Sequence, residues 1–210
     1  MEDMERNEVN NTEKPEGKIG WQANILTYLH DLIYLLAIIV VVFVLLFRVV
    51  VVSGTSMNDT LLDGDYLLLI GNVFYRQPQY GDIIVASKES FDGGKPIVKR
   101  VIATEGQWVD IDFPNGVVYV GDSLDNMVAL NEPYTKTPTT HWEFIYFPQQ
   151  VPENCIFVLG DNRDWSKDSR DPDIGMIDKR EVLGKVIFLF LPGTNKGQIA
   201  RDLGRIGVVS

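Results

Sequence analysis

The chain begins polar, turns apolar for one long stretch, and then breaks into short alternating runs. Residues 1 to about 20 are rich in Glu, Asp, Asn and Lys and carry no apolar periodicity, the pattern of a disordered tail. Leu32 to Phe47 is an uninterrupted apolar run, and Val49 to Val52 prolongs it past Arg48. As a helix this stretch spans ~31 Å, about one hydrocarbon thickness. Residues 31–52 are therefore predicted to form one transmembrane helix behind a largely disordered cytoplasmic tail of residues 1–30. Arg48 would sit one turn from the end, where a long side chain snorkels to the headgroups. A cleaved secretory signal is the rival reading, but its apolar core is usually ~7–15 residues and ends at a small-x-small site. Val50-Val51-Val52 supplies no such site. Arg6, Lys14 and Lys18 precede the run and Arg48 is the nearby basic residue after it, so the positive-inside rule puts the N-terminus in the cytoplasm. The expectation is a single pass through the cell (cytoplasmic) membrane, with residues 53–210 extracytoplasmic.

Past the anchor no segment sustains a 3.6-residue period. Short strand-like runs recur instead, at Tyr66–Ile70, Asp82–Val85, Ile97–Ala103, Trp108–Ile111, Val117–Val120, Phe144–Phe147, Ile156–Leu159 and Val182–Leu191. Turn signals such as Leu62-Asp63-Gly64-Asp65, Asp92-Gly93-Gly94 and Pro114-Asn115-Gly116 separate them. The predicted fold is mainly β: an antiparallel domain over residues 53–210, with the polar, aromatic stretch 107–152 inserted as a smaller β-lobe.

Composition narrows the chemistry. A formal net charge of -10 argues against a nucleic-acid partner, which would favour a basic face. One cysteine, Cys155, excludes an intramolecular disulfide and a thiolate-rich zinc site, and the two histidines are His30 and His141. Neither a metal nor another cofactor is expected.

Three segments carry candidate chemistry. Ser53-Gly54-Thr55-Ser56-Met57-Asn58-Asp59-Thr60-Leu61 follows the apolar run directly, so Ser56 is expected within roughly 15 Å of its end. A serine hydroxyl is a weak nucleophile and needs a base. His30 lies on the far side of the helix, which leaves His141, in a polar loop, or a lysine. In Ile97-Val98-Lys99-Arg100-Val101-Ile102 a period of two puts Lys99 on one face with Ile97 and Val101, and Arg100 on the other. β-Branched neighbours strip water from an ammonium and lower its pKa, although on this segment alone the favoured reading is an exposed strand-edge cation, since lysine usually sits at the surface. The third segment, Gly160-Asp161-Asn162-Arg163-Asp164-Trp165-Ser166-Lys167-Asp168-Ser169-Arg170, follows an apolar strand. Read alone it is either a solvated turn or a loop fixed by hydrogen bonds and ion pairs at the end of a rigid element.

Taken together and in this order, these segments, with Tyr80-Gly81-Asp82-Ile83-Ile84-Val85 between the first two and Gly175-Met176-Ile177 after the last, closely resemble the bacterial type I signal peptidases. These are membrane-bound serine endopeptidases with a Ser/Lys dyad. The resemblance implies that Ser56 is the nucleophile, that Lys99 is the general base and later general acid, and that Ser166 orients the lysine amine. It makes Asp161, Arg163, Asp168 and Arg170 structural polar residues and places Ser53, Gly54, Thr55 and Met57 near the oxyanion site. Substrates would be preprotein signal peptides leaving the bilayer, cut after an Ala-x-Ala type sequence and bound as an added strand. Strand parity adds that Arg100 points away from Lys99, toward an acidic residue of the later loop, with Asp161 the candidate.

Two departures stand out. The family usually has Pro where this chain has Asp59, and some members carry a serine oxyanion donor where Gly54 stands, so the second donor is left open between a backbone group and the Ser53 or Thr55 hydroxyl. A non-catalytic anchored peptide-binding or surface-assembly protein on the same fold is the alternative. The related soluble self-cleaving repressors fit less well, because the chain has an anchor and no DNA-binding region.

Overall fold

The computed structural model describes residues 20–194 and 200–209, with side chains from residue 24 onward. The tail of residues 1–19, expected to be disordered and cytoplasmic, lies outside them. A helix α1 covers Gly20–Leu46, and its Asn24–Leu46 portion is long and apolar enough to cross a membrane. Its side chains from 24 to 45 are exposed, as a lipid-facing surface would be.

The boundaries of this element correct the expectation at both ends. Residues 20–30, assigned to the tail, are helical, and the helix stops at Leu46 rather than continuing to 52. Phe47–Val51 instead forms strand β1, antiparallel to β2 (Tyr66–Gly71), with Phe47 opposite Ile70 and Val51 opposite Tyr66. A run of β-branched valines suits a lipid-embedded helix and a sheet edge alike; a partner strand decides in favour of the sheet. Ser56 therefore follows a strand, not a helix end.

Residues 44–210 form a compact β unit. Its larger sheet adds β3 (Ile83–Ala86), β4 (Ile97–Thr104), β9 (Cys155–Leu159), β10 (Ile177–Asp178), β11 (Val182–Leu191) and β12 (Gly207–Val208). The order is β1-β2-β11-β3-β4-β9-β10, with β12 also on β11 and every pairing antiparallel. A second sheet contains β5 (Trp108–Asp112), β6 (Val117–Gly121), β7 (Met127–Ala129) and β8 (Gln149–Gln150), in the order β7-β6-β5-β8. Phe144–Phe147 is not a strand, despite aromatic residues at alternating positions. Phe144 has a left-handed φ of 68°, Pro148 lacks a donor for a ladder, and pairing resumes only at Gln149.

Three buried clusters hold the unit together. The first joins Val52, Met57 and Leu61 from the serine segment to Leu67, Leu69, Ile83, Val85, Val186 and Leu189. The second is centred on Ile84, Val101, Ile156 and Val158, and the third ties the two sheets through Ile102, Val109, Val118 and Phe157. Along β4, Val98 packs on the first cluster and Ile97 on the second, so the period of two holds there. A register shift against β9 between Val101 and Ala103 then lets Ile102 and Ala103 both enter the third.

Candidate active site

Ser56 opens a tight turn after β1. Gly54, at φ 99°, reverses the chain where a side chain would be strained, and its N–H donates to Asp63 Oδ1 at 2.8 Å. Leu61 N donates to Met57 O at 2.9 Å to close the turn, and the Met57 side chain, 1% exposed, pegs it into the core. Met57 thus acts at the site by packing. Thr55 and Ser53 are exposed, and Ser53 lines a groove together with Ser56.

Across that groove lies Lys99. Its Nζ is 2.8 Å from Ser56 Oγ and 3.0 Å from Val98 O, to which it donates. The residue is 3% exposed, and burial lowers its pKa from 10.5 to about 8, against the opposing pull of the Asp168 and Asp161 carboxylates. His141, the other base considered, is in an exposed loop, where its carbonyl accepts from Arg170 Nη1 at 3.2 Å.

The loop after β9 locks the serine turn from the opposite side. Asn162 N donates to Ser56 O at 3.0 Å, and Asn162 Nδ2 donates to Thr55 O at 2.9 Å. Gly160 makes the approach possible. A Cβ there would lie 2.5 Å from Ser56 O and 2.1 Å from Ser166 Oγ. Gly160→Ala is expected to cost about 1–3 kcal/mol of stability by overpacking and to lower kcat about 100-fold by displacing the serine. Melting curves and turnover measurements on the same preparation check both effects. Ser166 is buried beside Gly160, and its Oγ has no hydrogen-bond partner among the described residues.

Three buried ion pairs among the described residues keep this loop rigid. Arg100 points away from Lys99 and grips Asp161 with Nε and Nη2 at 2.9 and 2.8 Å, with Tyr134 stacked 3.9 Å from the guanidinium carbon. Asp161 also accepts from Thr60 Oγ1 at 2.5 Å, which connects the pair to the serine turn. Arg163 is held by Glu132 and Thr139, and Arg170 by Asp168 at 2.9 Å twice. Burial alone would raise Asp168, but the Arg170 charge, its hydrogen bonds and the Gly160 N–H bring it below the usual carboxylate range. Asp161→Asn would leave Arg100 charged in the interior, for an expected loss of about 3–5 kcal/mol read from denaturant unfolding. Asn162, Thr60, Glu132, Thr139 and Gly160 had no role in the sequence reading. Of these, only Gly160, at a strand-to-loop junction, carries a sequence signal that could have exposed it.

Asp59 forms an exposed ion pair with Lys136 of the inserted lobe. Because surface pairs contribute about 0–1 kcal/mol, Asp59→Pro is expected to leave turnover unchanged or raise it a few-fold, measured as kcat. The groove has a volume of about 540 Å³ and runs between Val49–Val51 of β1, which is an edge strand of the larger sheet among the described residues, with Val52 after it, and Pro96–Lys99 at and just before the start of β4. Among the described residues no cluster of His, Cys, Asp or Glu has the arrangement to hold a metal ion.

The family described as signal peptidase, peptidase S26, matches residues 25–191, which include every element of this site. The chain belongs to the S26 signal peptidase family. Relatives include a signal peptidase I from Bacillus licheniformis, 34% identical over 155 residues, covering 70% of this chain and 78% of that one. A probable signal peptidase I-1 from Synechocystis is 33% identical, covering 70% and 73% respectively. Signal peptidase IB of Staphylococcus aureus is 32% identical over 178 residues, 73% of this chain and 86% of that one. As an S26 signal peptidase the chain is a serine endopeptidase anchored to a membrane, α1 being a fitting single span, and the non-catalytic reading of the fold is set aside.

Proposed function

We propose that this signal peptidase hydrolyses the bond between a signal peptide and its exported protein by direct attack of Ser56, with Lys99 as the base. The 2.8 Å separation of Lys99 Nζ and Ser56 Oγ carries this reading. Hydrogen counting supports it. A neutral amine has one lone pair and two N–H donors. The lone pair accepts the Ser56 O–H, and one N–H donates to Val98 O at 3.0 Å. That leaves one N–H, and Ser166 Oγ, buried without a hydrogen-bond partner among the described residues, is assigned as the acceptor that orients the amine.

In the reaction Ser56 Oγ attacks the scissile carbonyl as Lys99 takes the proton, giving a tetrahedral oxyanion. The Ser56 N–H is one donor to that oxyanion, and the second is assigned to the Ser53 hydroxyl because Ser53 lines the same groove. Lys99 then protonates the leaving amine, and water, deprotonated by the same lysine, releases the acyl group. The signal peptide enters extended and pairs with the open edge of β1, so that alternate side chains face the groove and only small ones fit next to the cut. The basic residues Arg6, Lys14 and Lys18 ahead of the span support a cytoplasmic N-terminus and an extracytoplasmic catalytic domain in the cell membrane.

Incubating the detergent-solubilised protein with a preprotein and mapping the products by mass spectrometry tests this function. A single cut after an Ala-x-Ala type site, lost when the residue just before the cut becomes Trp, is expected. Equal cleavage of the Trp substrate would rule the groove out as the specificity site.

A further inference from the structure

The serine turn has a second anchor, supplied from outside the residues that the family matches. Asp65, fully buried, sits at the base of the loop that carries Ser56. Its backbone carbonyl accepts from Val52 N at 2.8 Å, and Gly64 N donates to Val52 O at 2.9 Å, so the two ends of the loop are stitched together there. The Asp65 carboxylate accepts from Leu62 N and from Gly193 N, each at 2.7 Å. Its remaining partner is Arg205, whose Nη1 and Nη2 reach the two oxygens at 2.9 and 2.7 Å. Arg205 Nη2 also lies 3.4 Å from Thr60 O, on the turn itself.

Thr60 is consequently held at both ends, its hydroxyl by Asp161 in the catalytic loop and its carbonyl by Arg205. Arg205 is in turn fixed by the segment around it. β12 pairs with Phe188 and Leu189 of β11, and Val209 packs on the core cluster that contains Met57. A planar, five-donor guanidinium can grip a carboxylate and a carbonyl together, which a lysine cannot match.

The geometry points to Arg205 as a positioning residue for catalysis. It fixes the far end of the Ser56–Leu61 turn through Asp65 and Thr60, and so sets the Ser56 hydroxyl against Lys99. The inference rests on Ser56 being the nucleophile.

Arg205→Gln and the double variant Asp65→Asn/Arg205→Gln decide it, each assayed on a signal-peptide substrate beside wild type and Ser56→Ala. The double variant buries no unpaired charge, and its single amide oxygen accepts from either Leu62 N or Gly193 N, so it is expected to lose less stability than Arg205→Gln and to stay folded where that variant melts below the assay temperature. A positioning role lowers kcat about tenfold in both, leaves KM within twofold, and is partly rescued by Arg205→Lys. Wild-type kcat in the double variant would make Arg205 no more than a counter-ion for Asp65 and overturn the inference. Wild-type kcat in folded Arg205→Gln would do the same. Cleavage by Ser56→Ala would remove the nucleophile reading itself, an outcome distinct from either.

Discussion

Ser56→Ala and Lys99→Met are each expected to lower kcat by about 10⁴-fold or more, and the double variant to be no worse than either alone, because nucleophile and base act as one unit. Single-turnover cleavage of a preprotein measures all three. The two variants should part company in stability. An ammonium at this buried position, with its pKa brought down from 10.5 to about 8, costs the folded state about 3 kcal/mol at neutral pH. Methionine fills similar space without a charge, so Lys99→Met should unfold about 2–3 kcal/mol later than wild type while being inactive. The sign follows from proton binding. Between pH 8 and 10.5 the unfolded chain holds a proton on this lysine that the native protein has released, so wild-type stability gains on that of the methionine variant across this window. Below pH 8 the whole penalty is present. A stability difference that ignored pH would show that the amine is not held uncharged by burial.

The same amine governs the second large effect. A base must be unprotonated, so kcat/KM is expected to rise tenfold per pH unit up to about 8 and then level off, making the enzyme about 100-fold slower at pH 6 than on the plateau. A histidine base would put that limb nearer 6.5. The cause can be tested as well as the value. Since desolvation is the largest influence on Lys99, opening its surroundings with Val101→Ser should move the limb upward, toward the ordinary lysine range.

Much of this site is legible in the order of residues, for physical reasons that also mark the limits. Six residues, Ile97 to Ile102, suffice to send Lys99 and Arg100 to opposite faces, because a strand offers no other parity, and the Arg100–Asp161 pair follows once the acidic loop is known to cap the neighbouring strand. The end of α1 is not legible in the same way. Val49–Val52 is apolar and β-branched, which suits lipid and sheet equally, and only pairing with Tyr66–Gly71 separates the two. β7, β8, β10 and β12 span two or three residues each and show no alternation to detect. The partners of the buried arginines are less visible still. Nothing local marks Glu132 as the acceptor for Arg163, or Asp65 as the acceptor for Arg205, since each pair is closed by the fold across a long stretch of chain.

The mechanism depends on the charge of Lys99 where it touches Ser56: burial lowers its pKa to about 8, so that about a tenth of the amine is neutral at pH 7 and most of it above pH 8. Carbon-13 labelling of the lysine ε-carbons, followed by NMR titration of the folded protein in detergent, reads that charge directly. One resonance titrating near pH 8 in wild type and missing from Lys99→Met is the expected result. Titration of every lysine near ~10.4, the value of a hydrated amine, would contradict it.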